Sequence, residues 1–259
     1  MGKQSERDYG RRARIGMITP QANPTVEPEM SVLLPAGVSM LTTRCTSQGE
    51  PRQRFLNYFR QLDQTLASFD TLPLDAVGFA CTASSYLLDE GEEAAATKSL
   101  EAKFGYPLIT ASSAIDLALQ FLQAERIALA CPYPSWLLED AQAYWRKQGY
   151  LIIDSISVQP EMGDTRAIYD VSGKEAGALM SRHYETVNEP FDAIVITGTG
   201  MPALRAICDL QEETGVPVFN SNLALAWACL RASCTEPGDR SPTPGFPLLG
   251  GWREHLSLL

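Results

Sequence analysis

Two similar stretches of the sequence differ at one position where chemistry could occur. DAVGFACTAS covers residues 75–84, and DAIVITGTGM covers residues 192–201. Each begins with Asp-Ala, continues as a short apolar run typical of a strand, and ends in a turn of small residues. When the two are aligned on Asp-Ala, Cys81 corresponds to Gly198. A thiol at a strand end is a candidate acid, base or nucleophile, whereas a glycine supplies none of these functions.

Cys81 precedes a helical pattern that begins near Ser84 or Ser85. Free amides and the helix dipole at a helix N-terminus lower the pKa of a cysteine from about 8.5 toward neutrality. A pKa in that range suits proton transfer. Thr82 adds a hydroxyl donor in the same turn as Ala83. A buried structural cysteine is the alternative interpretation, because free cysteine is among the most buried residue types.

The turn GTGMPA, residues 198–203, formally fits the G-x-G-x-x-G/A fingerprint of dinucleotide-binding proteins. It follows the seventh predicted strand rather than the first, and no acidic residue follows at the required distance of about 20 residues. A nest of backbone amides for a carboxylate or a phosphate fits the glycines better. Gly198, Thr199 and Gly200 are therefore candidate substrate contacts, and a plain tight turn is the alternative.

Two further turns carry candidate ligands of a small substrate. PQANPTVEPEM, residues 20–30, follows the first predicted strand and offers Asn23 as a donor, with Thr25 as the predicted cap of the next helix. Its alternative is a polar turn punctuated by prolines. CPYPSW, residues 131–136, offers the phenol of Tyr133, whose alternative is a buried packing role. Cys131 is expected to point along its strand and ranks below Cys81.

Short apolar runs alternate with amphipathic segments along the chain, which favours a parallel sheet with crossover helices. The predicted strands are 14–19, 38–45, 75–81, 107–112, 126–131, 151–158, 192–197 and 216–221. The predicted helical segments include 52–68, 86–103, 136–148, 174–187 and 202–214.

Three motifs repeat in the same order, which indicates an internal duplication. RIGMITP at residue 14 matches RIALACP at 126, DAVGFACT matches DAIVITGT, and FGYPLITAS at 104 matches TGVPVFNSN at 214. We predict an α/β fold of two lobes related by a pseudo-twofold, each a parallel four-stranded sheet flanked by helices. Because ligands bind beyond the carboxyl ends of such strands, the active site is expected in the cleft between the lobes, with Cys81 and Gly198 on opposite sides.

This organisation predicts three segments. Residues 1–13 are a flexible leader, residues 14–122 the first lobe and residues 123–259 the second lobe, whose C-terminal segment can pack back on the first.

The charge and the residue composition indicate which partners and cofactors to expect and in which cellular compartment the protein acts. The net charge of −10 argues against a nucleic-acid partner. No stretch reaches the roughly 18 apolar residues of a membrane span, and the N-terminus lacks the apolar core of a secretory signal. Six cysteines without C-x-x-C spacing indicate free thiols in a reducing cytoplasm, and two distant histidines argue against a metal site. We expect no metal and no cofactor, a cytoplasmic location and a possible homo-oligomer.

Over about residues 13–250 these motifs resemble the aspartate/glutamate racemase superfamily, in the branch of maleate cis–trans isomerases and arylmalonate decarboxylases. RIGMITPQANPTVEPEM resembles the isomerase opening, where an asparagine contacts substrate, which implies that role for Asn23. ACTASS resembles the first cysteine motif and ALACPYP the tyrosine turn, which map to Cys81 and Tyr133. ITGTGMP resembles the second cysteine motif with Gly198 in place of the cysteine. The tail PTPGFPLLG, residues 242–250, is similar to the closing segment of the family.

The resemblance has one informative departure. Racemases and isomerases of this branch carry both cysteines, and arylmalonate decarboxylases carry a glycine first and a cysteine second. This chain has the mirror arrangement, and Ala83 replaces a hydroxyl that the decarboxylase uses in its oxyanion pocket. Racemisation needs an acid/base on each face of a planar carbanion, whereas decarboxylation needs only one acid.

The expected function is therefore decarboxylation of a disubstituted malonate-like acid, with Cys81 protonating an enediolate that is stabilised around Thr82, Tyr133 and Thr199. The alternatives are a cis–trans isomerase or racemase with Cys81 as nucleophile or base, and a non-catalytic protein that binds a carboxylate.

Overall fold

The computed structural model describes residues 7–159, 161, 163–233 and 248–259. These residues form eight strands: β1 (Ala13–Pro20), β2 (Val38–Cys45), β3 (Ala76–Phe79), β4 (Leu108–Thr110), β5 (Arg126–Cys131), β6 (Leu151–Ser157), β7 (Ala193–Ile196) and β8 (Val218–Asn220). The α-helices are α1 (Val26–Leu33), α2 (Pro51–Arg60), α3 (Leu62–Ala67), α4 (Thr82–Tyr86), α5 (Glu92–Phe104), α6 (Ala111–Leu122), α7 (Ser135–Lys147), α8 (Gly173–Tyr184), α9 (Leu204–Thr214) and α10 (Ser221–Ala232). Two 3₁₀ segments cover Thr165–Asp170 and Trp252–Leu258.

The strands form two parallel four-stranded sheets of the same topology, as the repeats predicted. The first sheet has the order β2-β1-β3-β4 and the second the order β6-β5-β7-β8. The register is also repeated, because Ile15 pairs with Ala76 in the first sheet and Ile127 pairs with Ala193 in the second. The predicted fold of two sheets flanked by helices is therefore confirmed.

The repeated Asp-Ala pair has the same structural role in both sheets. The Oδ2 atom of Asp75 accepts a hydrogen bond of 2.7 Å from the backbone N–H of Arg14, near the start of β1. The Oδ2 atom of Asp192 accepts the equivalent bond of 2.8 Å from Arg126, at the start of β5. Each carboxylate thus accepts from an amide at the start of a central strand, which the strand end would otherwise leave without a partner.

Several boundaries differ from the sequence prediction for local reasons. The segment 52–68 forms two helices, α2 and α3, and residues 86–103 contain the end of α4 and most of α5. The fourth and eighth strands end earlier than predicted, at Thr110 and Asn220. Their side chains cap the next helices, since Thr110 accepts from the amide of Ser113 and Asn220 accepts from the amide of Leu223.

The last long helix joins the two halves of the chain. Helix α10 follows the second sheet but packs against α1 and α6 and against β3 and β4. Its aromatic Trp227 lies 5.4 Å from the ring of Phe121 on α6, measured between centroids. The proposed lobe boundary near residue 123 falls at the end of α6, where Gln123 adopts a left-handed conformation.

The ends of the chain are only partly described. Strand β1 begins at Ala13, and Arg7 contacts Asp75 at 3.4 Å, so part of the predicted leader lies against the first sheet. Of the segment PTPGFPLLG only residues 248–250 are described, and Cys234 lies outside the described residues. Among the described residues, no helix is long and apolar enough to cross a membrane.

Candidate active site

A cleft lies where the strands of both sheets end. The first sheet reaches it through the residues after β1 and β3, and the second through those after β5 and β7. Every site residue predicted from the sequence lines this cleft: Asn23, Cys81, Thr82, Ala83, Tyr133, Gly198, Thr199 and Gly200. The topology therefore brings together turns that are up to 177 positions apart, as expected for parallel sheets whose carboxyl ends face one space.

The environment of Cys81 differs from the prediction in one respect. Cys81 caps α4, which has only five residues, and is 4% exposed. Burial raises the pKa of the Cys81 thiol above its ordinary value, and this effect outweighs the hydrogen bonds from Ser84 and Ala83 and the charge of Arg54, which lower it. The prediction that the pKa of Cys81 is lowered toward neutrality is therefore wrong. The Oγ atom of Ser84 donates to the sulfur at 3.2 Å, but the thiol stays protonated at neutral pH.

The face of the cleft at Gly198 is closed to a side chain. Gly198 has a φ of +91°, and a Cβ atom there would lie 2.9 Å from Cδ of Pro132 and 3.3 Å from Cδ1 of Ile168. At Gly200, a Cβ atom would lie 2.7 Å from Cε1 of Tyr169. Pro132 and the 3₁₀ segment Thr165–Asp170 thus occupy the space around the second motif.

Tyr133 and Thr82 form a pair of hydroxyl groups in the cleft. Their oxygens are 2.6 Å apart, and Tyr133 is buried. Burial holds the pKa of the Tyr133 phenol well above its ordinary value. A neutral phenol can donate a hydrogen bond to a developing oxyanion. Ala83 adds no hydroxyl, but its backbone N–H helps to lower the pKa of Cys81.

Asn23 links the first sheet to the second motif. Its Nδ2 donates to Oγ1 of Thr199 at 3.3 Å, and Oγ1 of Thr199 donates to the carbonyl of Ala80 at 2.8 Å. The Oδ1 atom of Asn23 accepts from the amides of Thr25 and Val26, so Asn23 provides the side-chain cap of α1. Thr25 occupies the N-cap position of α1, as predicted, but its hydroxyl makes no capping hydrogen bond and donates to the carbonyl of Gly200 at 2.7 Å instead.

The sequence analysis missed a charged group on the cleft wall. Arg54 of α2 is 3% exposed and lines the cleft, where it donates to Asp164 at 3.0 Å and to Thr165 at 2.7 Å. Arg166 also lines the cleft and donates to Asp164 through Nε at 3.0 Å. Two guanidinium groups share one carboxylate, so this wall carries excess positive charge that would attract an anion. The helical pattern of residues 52–68 gave no signal that one arginine is buried by a segment 110 positions away.

Two tyrosines of the cleft were also missed. Tyr58 and Tyr169 line it. Burial is the main cause that raises the pKa of each phenol, and the nearby Cys81 is the second cause. Within the described part of the chain, neither hydroxyl has a protein hydrogen-bond partner. Both are therefore neutral donors available to a substrate oxygen.

The dinucleotide interpretation of GTGMPA is disfavoured by geometry. A pyrophosphate would need the amides at the start of the helix that follows the glycines. The amides of Ala203 and Leu204 instead donate to the carboxylate of Glu29, at 2.8 Å and 3.3 Å. Nor do the described residues contain a group of three or more His, Cys, Asp or Glu side chains placed to hold a metal ion.

The double-sheet fold and its cleft between strand ends define a two-lobed α/β protein, and comparison with known proteins gives the family. The family model of arylmalonate decarboxylase matches residues 15–243, so the chain belongs to the arylmalonate decarboxylase family. A maleate isomerase of Pseudomonas putida is 25% identical over 242 residues, covering 86% of this chain and 93% of the relative.

Two solved structures have the same fold. A maleate cis–trans isomerase of Nocardia farcinica, a variant with serine in place of a cysteine and a covalently bound succinylcysteine intermediate, aligns with a TM-score of 0.76 at 24% identity, covering 85% of this chain and 92% of that one. A structure of arylmalonate decarboxylase aligns with a TM-score of 0.73 at 22% identity, covering 89% and 96%. The predicted resemblance to this branch is confirmed.

Proposed function

We propose that the protein is a cofactor-independent decarboxylase of disubstituted malonate-like acids, with Cys81 as the proton donor. The observation that carries this proposal is the closed face at Gly198, where a Cβ atom would lie 2.9 Å from Pro132. Cys81 is then the only thiol among the residues that line the described cleft. A single acid is sufficient for decarboxylation but insufficient for racemisation by proton transfer on two faces.

The reaction assigns a role to each group. The bond between the α-carbon and one carboxylate breaks, and its electron pair forms an enediolate with the remaining carboxylate. The pair of Thr82 and Tyr133 can donate one hydroxyl to the enediolate oxygens, because the other hydroxyl donates within the pair, and such donation is commonly the largest single contribution to catalysis. The hydroxyl of Thr199 already donates to the carbonyl of Ala80. The S–H group of Cys81 protonates the α-carbon, and water returns a proton to the thiolate. The raised pKa of Cys81 supports this role, because the donor must be protonated at neutral pH.

Cis–trans isomerisation of a maleate-like diacid is the second candidate, and Arg54 favours it. A buried arginine in the cleft suits a substrate that keeps both carboxylates. The relative from Pseudomonas putida is named a maleate isomerase, and the related Nocardia farcinica structure holds a succinylcysteine intermediate. In this reaction the thiol of Cys81 would lose its proton and its sulfur would add to the alkene, moving the π electrons onto the neighbouring carboxylate as an enediolate. After rotation about the central bond, that electron pair would re-form the double bond and the thiolate would leave.

One experiment separates the two reactions and the non-catalytic alternative. The purified protein is incubated with a series of aryl- and alkyl-substituted methylmalonates and with maleate, and carbon dioxide release and proton NMR spectra are recorded. Carbon dioxide from a malonate supports the proposal, and conversion of maleate to fumarate without carbon dioxide supports the second candidate. Saturable carboxylate binding without turnover of any compound would contradict both and leave a binding protein.

A further inference from the structure

A buried carboxylate that lies behind the cleft connects the two halves of the chain. Glu29 belongs to α1, is 3% exposed, and accepts four hydrogen bonds. Its Oε1 accepts from the amides of Ala203 and Leu204, and its Oε2 accepts from Nδ2 of Asn220 and of Asn222, both at 2.8 Å. All four donors come from the second half of the chain.

These bonds lead directly to residues of the cleft. The Nδ2 of Asn222 also donates to the carbonyl of Thr199 at 3.1 Å, and Thr25, four positions before Glu29, donates to the carbonyl of Gly200 at 2.7 Å. Thr199 and Gly200 both line the cleft. Their carbonyls therefore accept hydrogen bonds from Asn222, which also donates to Glu29, and from Thr25 on the N-terminal side of the helix that carries Glu29.

We propose that Glu29 is a positioning residue that fixes the Thr199–Gly200 turn against the first half of the chain. It acts through Asn222 and the start of α9, and it does not contact the substrate. The catalytic part of this assignment rests on the proposed function, since it requires that the turn contacts the substrate. The claim that Glu29 fixes the position of the turn does not depend on the proposed function.

The hydrogen-bonding pattern predicts how Glu29→Gln would act. Both oxygens of Glu29 accept from donors, so the new amide group must face one pair of donors. A backbone amide can only donate, so Ala203 and Leu204 cannot accept from the new group. The side-chain amide of Asn220 is fixed in orientation, because its Oδ1 accepts from the amide of Leu223. Asn222 can turn, because its Oδ1 has no partner in the described structure. If Asn222 turns to accept from the new amide, the carbonyl of Thr199 loses its donor.

A matched control separates positioning from general stability. Glu101 accepts from the amide of Leu108 at 2.9 Å within the first half of the chain and does not line the cleft. Glu101→Gln therefore perturbs a carboxylate–amide contact of the same type away from the cleft. Asn222→Ala serves as a second test variant if Glu29→Gln does not fold, because it removes the donor to Thr199 and keeps Glu29.

The experiment has two readouts. Hydrogen exchange of the peptide containing residues 198–204 needs no substrate, and we expect faster exchange there in Glu29→Gln but not in Glu101→Gln. On a substrate that the wild type converts, we expect kcat/KM to fall about 10-fold in Glu29→Gln, the scale of one lost buried hydrogen bond. The effect should be non-additive with Thr199→Val, whereas Glu101→Gln and Thr199→Val should be additive.

Unchanged exchange of residues 198–204, or additive effects of Glu29→Gln and Thr199→Val, would overturn the assignment. Faster exchange in a protein whose wild type converts none of the substrates would support the structural contact and count against the proposed function, so the two failures are distinguishable.

Discussion

Replacement of Gly198 by alanine measures how firmly the second face of the cleft is closed. Gly198 has a φ of +91°, and a non-glycine residue in this left-handed region costs about 1 kcal/mol. The new Cβ atom would also lie 2.9 Å from Cδ of Pro132, whose ring cannot rotate away, and overpacking of this kind costs about 1–3 kcal/mol. We expect a total destabilisation of roughly 3 kcal/mol, which corresponds to a fall in Tm of about 6–12 °C for a chain of this size.

Gly215→Ala is the matched control for this measurement. Gly215 ends α9 with a φ of +72°, and a Cβ atom there meets nothing within 4 Å. Its substitution should therefore destabilise the fold only by the cost of a non-glycine residue in the left-handed conformation, about 1 kcal/mol. Differential scanning fluorimetry of both variants gives the difference. Equal shifts in Tm would show that Pro132 and Ile168 yield to a side chain, and the one-acid mechanism would lose its structural basis.

Three other predictions follow from the cleft. Because burial raises the pKa of Cys81 and the donor form is the protonated one, kcat/KM should be constant through neutral pH and fall only above that raised pKa. Ser84→Ala removes a hydrogen bond that lowers this pKa, so the alkaline fall should move to higher pH, and a rate that rises with pH would indicate a thiolate nucleophile. Arg54→Met should raise KM for a carboxylate substrate about 10-fold in steady-state assays. Arg52→Met is the control on the same helix: it removes an exposed ion pair with Asp140 of α7 and should leave KM unchanged. Activity should survive exhaustive dialysis against a chelator, and recovery that depends on added metal or nicotinamide would contradict the cofactor-free mechanism.

The features that the sequence predicts well are those that repeat or follow local rules. The Asp-Ala pairs at residues 75 and 192 mark equivalent strands because each aspartate binds the amide at the start of a neighbouring strand. Cys81, Tyr133 and Gly198 follow strand ends, and the topology of a parallel sheet is sufficient to bring them to one edge.

The features that the sequence does not predict depend on contacts between distant segments. Arg54 is buried only because Asp164 and Thr165 reach it from the other half of the chain. The sequence predicts the pKa of Cys81 in the wrong direction because the helix effect is local, whereas desolvation depends on everything packed around the thiol. Glu29 lies in a segment whose pattern indicates a helix cap at Thr25 or a polar turn, and its four donors are at least 174 positions away.

The most direct test of the central claim is the turnover of Cys81→Ala, measured beside Cys131→Ala on a substrate that the wild type decarboxylates. Cys131 is a buried cysteine of β5 that does not line the cleft, so its variant controls for the loss of a buried thiol. If Cys81 is the proton donor, kcat should fall at least about 10²-fold in Cys81→Ala, the usual scale of lost acid catalysis, and should change little in Cys131→Ala. A folded Cys81→Ala protein with turnover near that of the wild type would contradict the mechanism.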